Sequence, residues 1–254
     1  MTSALTIYAV EGIPLIDERS ALAELIYTQI SSSDFGFCDG DVLVVAQKII
    51  SKAEGRLVRL EDVEVSDQAV ELADEIGKDP RLVELILRES QQLVRTAPGV
   101  VIVRHRLGIV CANAGIDQSN VDHRQGECAL LLPRDPDHSA RQLREDLMKL
   151  SGKRLAVIIS DSINRPWRLG TVGIAIGSAG LMVLDDRRGQ SDMFGRELAV
   201  TMSNNADSIA SSAMLIMGET TEKVPVVLVR GLLAMEGTQQ ASDCIRAAEE
   251  DLFL

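Results

Sequence analysis

The sequence predicts an α+β fold, with mixed, hairpin-rich sheets packed by helices. Short apolar runs such as DVLVVA (41–46) and VPVVLVRG (224–231) have the length and β-branched content of buried strands. Segments with helical spacing of apolar residues lie between such runs. A third observation decides the class: VVIVRHRLGIVCANAGID (100–117) holds two apolar stretches hinged at Arg104-His105-Arg106, a hairpin that breaks the βαβ rhythm of a doubly wound sheet.

The elements follow in order. A strand is expected over 5–10, then an amphipathic helix over 17–30, then the strand 41–46 after the turn pair Asp39-Gly40. Helices are expected over 67–76 and 80–95. Asp79 is a suitable N-cap with Pro80 at N1, and Leu82, Leu85, Ile86 and Leu93 share a helical face. After the hairpin comes the polar cluster 113–120. Ser139 is read as the cap of a helix running to about Leu150, which Gly152 stops, and RLAVIIS (154–160) forms the next strand and delivers Asp161. A Gly-rich core segment (169–184), a polar loop, a small-residue helix over 204–217, the strand 224–231 and a terminal helix through Leu252 complete the chain.

Composition narrows the function. With 254 residues, 46% of them apolar, there is ample material for a core. The formal charge is −12 and the pI near 4.8, the wrong field for a phosphate-backbone binder, and 3% aromatics disfavour base-stacking platforms. No nucleic-acid partner is expected. Cys38, Cys111, Cys128 and Cys244 form no CxxC pair, so a reducing, cytoplasmic setting is expected. The N-terminus has no basic start, and the longest uncharged run, 169–184, contains four glycines and is too short for a bilayer span, so no membrane partner is expected.

Standard phosphate loops are absent. GxxxxGK[ST] does not occur, and GIAIGSAG fails the GxGxxG spacing. There is no GxSxG or HExxH, and His105, His123 and His138 lie in polar stretches and are read as solvated. What does recur is an oxygen-bearing residue ending an apolar run. Asp117 follows LGIVCANAGI, Asp161 with Ser162 follows RLAVIIS, and Glu219 follows SSAMLIMG. Converging ends would form the all-oxygen set that Mg²⁺ or Mn²⁺ prefers. An acid at such a place is also a common cap or turn residue, so spacing alone leaves both readings open.

Arginine is the second feature. Every base between 160 and 200 is Arg, namely Arg165, Arg168, Arg187, Arg188 and Arg196. Forked guanidinium groups suit phosphate and carboxylate, so SDSINRPWR and LDDRRGQ can wall a multiply anionic ligand, with Trp167 as a packing anchor or a lid on a flat ring. Arg-Asp surface pairs are the alternative. In QKIISKAEGR (47–56), Lys48 and Lys52 can neutralise a phosphate or simply open a solvated helix.

EGIPLI (11–16), DGDVLVVAQKIISKAEG (39–55), GIDQSNV (115–121), SDSINRPWRLGTVGIAIGSAG (160–180), DDRRGQSDMFGREL (185–198) and EKVPVVLVRG (222–231) together resemble the coenzyme F420:L-glutamate ligase family. The resemblance runs from about Glu11 to Gly231. It implies a GTP-dependent amide ligase that adds L-glutamate to a deazaflavin with a phospholactate tail, through an acyl phosphate, releasing GDP and phosphate. It also implies two divalent ions, Mg²⁺ or Mn²⁺, an activating K⁺, a homodimer with the nucleotide cleft near the subunit interface, and one ligase module over 1–254 with room for two intertwined subdomains. Some bacterial relatives carry a nitroreductase-like domain after this module, and none is expected here.

Residue by residue, the resemblance gives Asp117, Asp161, Ser162 and Glu219 to the metals. It gives Ile13, Pro14, Leu15, Ile16, Gln47, Lys52 and Asn120 to GTP, with Gly218 beside the nucleotide. Gln47 stands where a small hydroxyl residue is common, Ser162 where Thr is common, and Glu219 where Gln also occurs. A nucleotide- or flavin-binding module without turnover, and a same-fold ligase acting on another carboxylate, are the rival readings.

Overall fold

A computed structural model describes residues 4–124, 126–164, 167–232 and 236–251. Strand β1 (Thr6–Ala9) is followed by helix α1 (Leu22–Ser31), strand β2 (Asp41–Ala46), helix α2 (Gln47–Ala53) and strand β3 (Leu57–Arg59). Helices α3 (Asp67–Ile76) and α4 (Pro80–Arg88) precede strands β4 (Ser90–Ala97), β5 (Val100–His105), β6 (Val110–Ala112) and β7 (Cys128–Leu130). Helix α5 (Pro136–Ser151) leads into the long hairpin β8 (Leu155–Asn164) and β9 (Thr171–Ala179). Strands β10 (Leu184–Asp186) and β11 (Met202–Asn204), helix α6 (Asn205–Met217) and strand β12 (Val226–Arg230) complete the numbered elements.

The central sheet has the order β1-β12-β2-β8-β9, in which β2 and β8 are parallel and the other neighbours antiparallel. The class is therefore α+β, as expected. Both faces of this sheet are covered, which is why DVLVVA and VVLV are apolar at every step and do not alternate. Leu43, Val45, Val157, Ile159 and Leu228 face α1 and α5, while Val42, Val44, Ile158, Val227 and Val229 face α6. Burying one such side chain is worth about 1.5–3 kcal/mol. The glycines of β9 serve this packing: a Cβ on Gly173 would stand 2.6 Å from the Ala210 carbonyl of α6, and one on Gly177 would collide with the Pro136 backbone of α5. Smaller sheets, β4-β5-β6 and β3-β7, pack with α3 and α4 around separate apolar clusters.

Several expected boundaries move, each for a local reason. The first helix begins at Leu22 because Asp17 closes a turn, accepting from the Arg19 amide at 2.9 Å and the Ser20 hydroxyl at 3.0 Å. The helix expected over 80–95 stops at Arg88, and SQQLVRTA becomes β4, pairing with β5 from Ser90 to Ala97. Leu93, expected to share a helical face with Leu82, Leu85 and Ile86, is an exposed strand residue. Asp135, not Ser139, caps α5 by accepting from the His138 amide, and Ser139 donates instead to Glu54. The core segment begins at Thr171, since Leu169 is exposed. In place of a terminal helix, the described residues form short 3-10 turns at Ala241–Cys244 and Ala248–Glu250, and Leu252 lies outside them. His105 is buried, contrary to expectation, whereas His123 and His138 are exposed.

Candidate active site

Strand directions bring the chemistry to one end of the sheet. Ala46 pairs with Ser160 at the carboxyl end of the parallel pair, and Val45 pairs with Val226, where β12 begins. Val10 donates to the Val226 carbonyl, so the chain leaves β1 for 11–16 at this same end. Ligands of sheets with parallel strands bind beyond such carboxyl ends. Here they are met by α2 after β2, by the continuation of β8 past Ser160, and by the turn between α6 and β12.

Asp161 and Ser162 lie within β8, which runs on to Asn164, and not just beyond its end as the sequence suggests. The register with β9 shifts between Ile159 and Ser160, a bulge that re-aims the following side chains. Asp161 is pushed up to about 7, chiefly by burial and further by the negative charge of Asp117, against the lowering influence of the Ser162 backbone amide, Lys48 and Gln47. Ser162 Oγ donates to Glu219 Oε2 at 3.2 Å.

Asp117 is held at both backbone groups by Leu130, its amide at 3.0 Å and its carbonyl at 2.8 Å. It is introduced by three successive residues at positive φ: Asn113 at 50°, Ala114 at 54° and Gly115 at 64°. Ala114 tolerates this because it is wholly buried and Asn113 Oδ1 accepts from the Val101 amide. Asp117 Oδ2 pairs with Lys48 Nζ at 2.9 Å, and its Oδ1 accepts from Ser119 Oγ at 2.8 Å. Lys48 also donates to Ser119 at 3.0 Å, and Lys52 Nζ donates to the Asn120 carbonyl at 2.8 Å. Burial lowers the Lys52 pKa, and the charge of Lys48 lowers it further. The two lysines thus tie α2 to the 117–120 loop. Asn120, at φ 55°, donates from Nδ2 to Thr220 at 3.4 Å, joining that loop to the turn that carries Glu219.

The other sequence candidates are placed as follows. Ile16 is buried and Ile13 half-buried against the main core, while Pro14 and Leu15 are exposed, Leu15 at 92%. Gln47 is buried. Gly218 caps α6 at φ 68° just before Glu219. Trp167, 81% exposed, and Arg168 lie in the β8–β9 connection, and Arg165 falls outside the described residues. Arg187 and Arg188 sit on the β10–β11 hairpin, forked onto Asp185 and Asp186 at 2.6 Å. Sequence reasoning passed over Ser119 and Ser51. The second was within reach, since it stands four residues after Gln47 on one helix.

A divalent ion can be tested against this donor set. Every donor is a hard oxygen, and the Asp161 carboxyl is raised by burial and by the neighbouring Asp117 charge, both of which a cation bound there would offset. Among the described residues no three Asp, Glu, His or Cys side chains gather tightly enough to hold one ion together. What is brought together is two pairs, Asp117 with Asp161 and Ser162 with Glu219. Both suit Mg²⁺ or Mn²⁺, which bind through one or two carboxylates and complete their shells with water and substrate phosphates.

Residues 12–231 match the family model described as F420-0:Gamma-glutamyl ligase. The chain is 47% identical over 249 residues to the coenzyme F420:L-glutamate ligase of Archaeoglobus fulgidus, covering 97% of this chain and 95% of that one. It is 44% identical over 251 residues to the same-named protein of Methanopyrus kandleri, covering 96% of each. With that of Methanothermobacter thermautotrophicus the figures are 44% over 227 residues and 89% of each chain.

Proposed function

Because the chain belongs to the F420-0:gamma-glutamyl ligase family, we propose that it joins L-glutamate in amide linkage to the phospholactate carboxylate of the deazaflavin F420-0, using GTP. The observation that carries this reading is the placement, in the loops beyond the paired Ala46 and Ser160, of two oxygen pairs, Asp117 with Asp161 and Ser162 with Glu219, beside Lys48, which pairs with Asp117, and Lys52, which donates to the Asn120 carbonyl. A carboxylate is a poor acyl donor, so it first attacks the γ-phosphorus of GTP. The bond to the β,γ-bridging oxygen breaks, GDP leaves, and an acyl phosphate forms. The glutamate amine then attacks the acyl carbon, loses a proton and expels inorganic phosphate. Such transfers need positioning and charge neutralisation more than a nucleophilic side chain. That accounts for a site without a Ser-His pair.

In this reading Lys52 and Lys48 face the nucleotide phosphates, and the 13–16 segment, Asn120 and the turn at Gly218 border the nucleotide. Asp117, Asp161, Ser162 and Glu219 would hold two Mg²⁺ or Mn²⁺ ions, which supply charge neutralisation along the phosphates. K⁺ is proposed as an activator without assigned ligands. The deazaflavin, anionic at its phosphodiester and carboxylate, is assigned to the β8–β9 connection with Arg165, Trp167 and Arg168, and to Arg187 and Arg188. Arg168 makes no ion pair among the described residues, whereas Arg187 and Arg188 must exchange their aspartates for substrate.

A homodimer is part of the reading. Its support is the β10–β11 hairpin, which presents Met193 and Phe194, each 88% exposed, with Val200 and Met202. Among the described residues no helix is long and apolar enough to cross a membrane, and the four cysteines are unpaired, which supports a reducing cytoplasm. The activity is tested by incubating the protein with GTP or ATP, L-glutamate and F420-0 and following the glutamylated deazaflavin by mass spectrometry. Product with GTP in excess of that with ATP is expected. No product with either nucleotide overturns the reading.

A further inference from the structure

The resemblance assigns Gln47 to the nucleotide, yet the residue is 2% exposed. Its Oε1 accepts from Ser51 Oγ at 2.9 Å, one helical turn along α2, and Ser51 is itself wholly buried. The amide is therefore clamped by its oxygen. Its Nε2 is buried and has no hydrogen-bond partner in the described structure, although a buried donor left unmet is destabilising. Ala46 pairs with Ser160 in the parallel register, so Gln47 and Asp161 follow side by side at the same end of the sheet, and the Gln47 side chain favours the ionised form of the Asp161 carboxylate. The opposite amide orientation would set Oε1 lone pairs against that carboxylate, so the donor side belongs there.

We infer that Gln47 is a positioning residue for Asp161, donating from Nε2 to its carboxylate and fixing which oxygen faces the site, and that it does not contact the purine. This rests on the reading of Asp161 as part of a divalent-ion site. It also explains how a long amide replaces a small hydroxyl residue here: the side chain turns inward along α2 and leaves the nucleotide side open.

Gln47→Met keeps the length and removes the donor, and Ser51→Ala releases the clamp without touching the site. Three readouts are taken: equilibrium Mn²⁺ binding by electron paramagnetic resonance of the free ion, the ratio of kcat/KM for GTP and ATP, and the melting temperature. Gln47→Met is expected to weaken Mn²⁺ binding about tenfold and to lower kcat equally with both nucleotides, leaving their ratio unchanged. Ser51→Ala is expected to shift Mn²⁺ binding in the same direction by less. Should Gln47→Met melt far below wild type, Ser51→Ala carries the test alone. A changed GTP:ATP ratio in Gln47→Met would show that Gln47 reads the base, and wild-type Mn²⁺ binding in both variants would show that Asp161 is placed without it. Either result overturns the inference. Turnover by the wild type in the presence of a chelator would instead defeat the divalent-ion reading itself.

Discussion

Lys52 shows how one residue couples packing to charge. It is half-buried on α2, burial lowers its pKa, and its ammonium already donates to the Asn120 carbonyl. A phosphate arriving there gains a cation that is partly desolvated in advance, and charge-assisted contacts of this kind are worth about 1.5–3 kcal/mol. Lys52→Ala should accordingly weaken GTP binding about ten- to a hundredfold in calorimetric titration, with little change in melting temperature. An unchanged Kd would take Lys52 out of the nucleotide site. The four oxygen-bearing residues were legible in the sequence because each follows an apolar run. Their partners were not. Lys48 reaches Asp117 across 69 positions and Lys52 reaches the Asn120 carbonyl across 68, pairings that only the fold creates.

At the scale of elements, Glu89 at the end of α4 is the tie between the β4-β5-β6 sheet and the main body. Its Oε2 accepts from Arg56 at 2.8 Å and Arg106 at 2.9 Å, with His105 Nε2 at 3.4 Å. Arg56 in turn donates to the Leu132 carbonyl, and Arg106 to that of Arg134. Burial alone would raise the Glu89 pKa, but the two guanidinium donors with the nearby His105 ring outweigh it and hold the carboxyl at about 2. The folded value is depressed below the unfolded one near 4.5, so the stabilisation is fully present above pH 4.5 and is lost as pH falls toward 2. Glu89→Gln should cost about 3 kcal/mol at neutral pH in urea unfolding, and the gap from wild type should close as the pH is lowered through that window. A gap independent of pH would remove the charge from this account. The cluster also explains a boundary that periodicity missed. Leu82, Leu85 and Ile86 fit a helix running on through Leu93, but Glu89 and its donors, with pairing to β5, turn the chain into a strand at Ser90. Central strands were easier to read, because a run buried on both faces announces itself without any partner.

For the whole molecule, the mixed sheet sends the carboxyl ends of β2 and β8 toward the same loops and covers both faces with helices, leaving the β10–β11 hairpin projecting with apolar residues uncovered. Replacing Met193 and Phe194 with Asp should convert a dimer to a monomer in light scattering without lowering the melting temperature of the subunit. A wild-type protein that is monomeric and fully active would reject the dimer. The general class was legible from hairpins and apolar runs, whereas the one parallel pair, β2 with β8, was not, since residues 47–154, with two smaller sheets and helices α2 to α5, lie between them.

Activation of a carboxylate by phosphoryl transfer at the Asp161 cluster is read out by single-turnover phosphate release. F420-0 labelled with heavy oxygen in its phospholactate carboxylate is mixed with GTP, L-glutamate and Mn²⁺, using the wild type and Asp161→Asn at equal folded concentration. The wild type is expected to pass label into the released phosphate, and Asp161→Asn to release almost none. Phosphate without label, or wild-type release by Asp161→Asn, would contradict it.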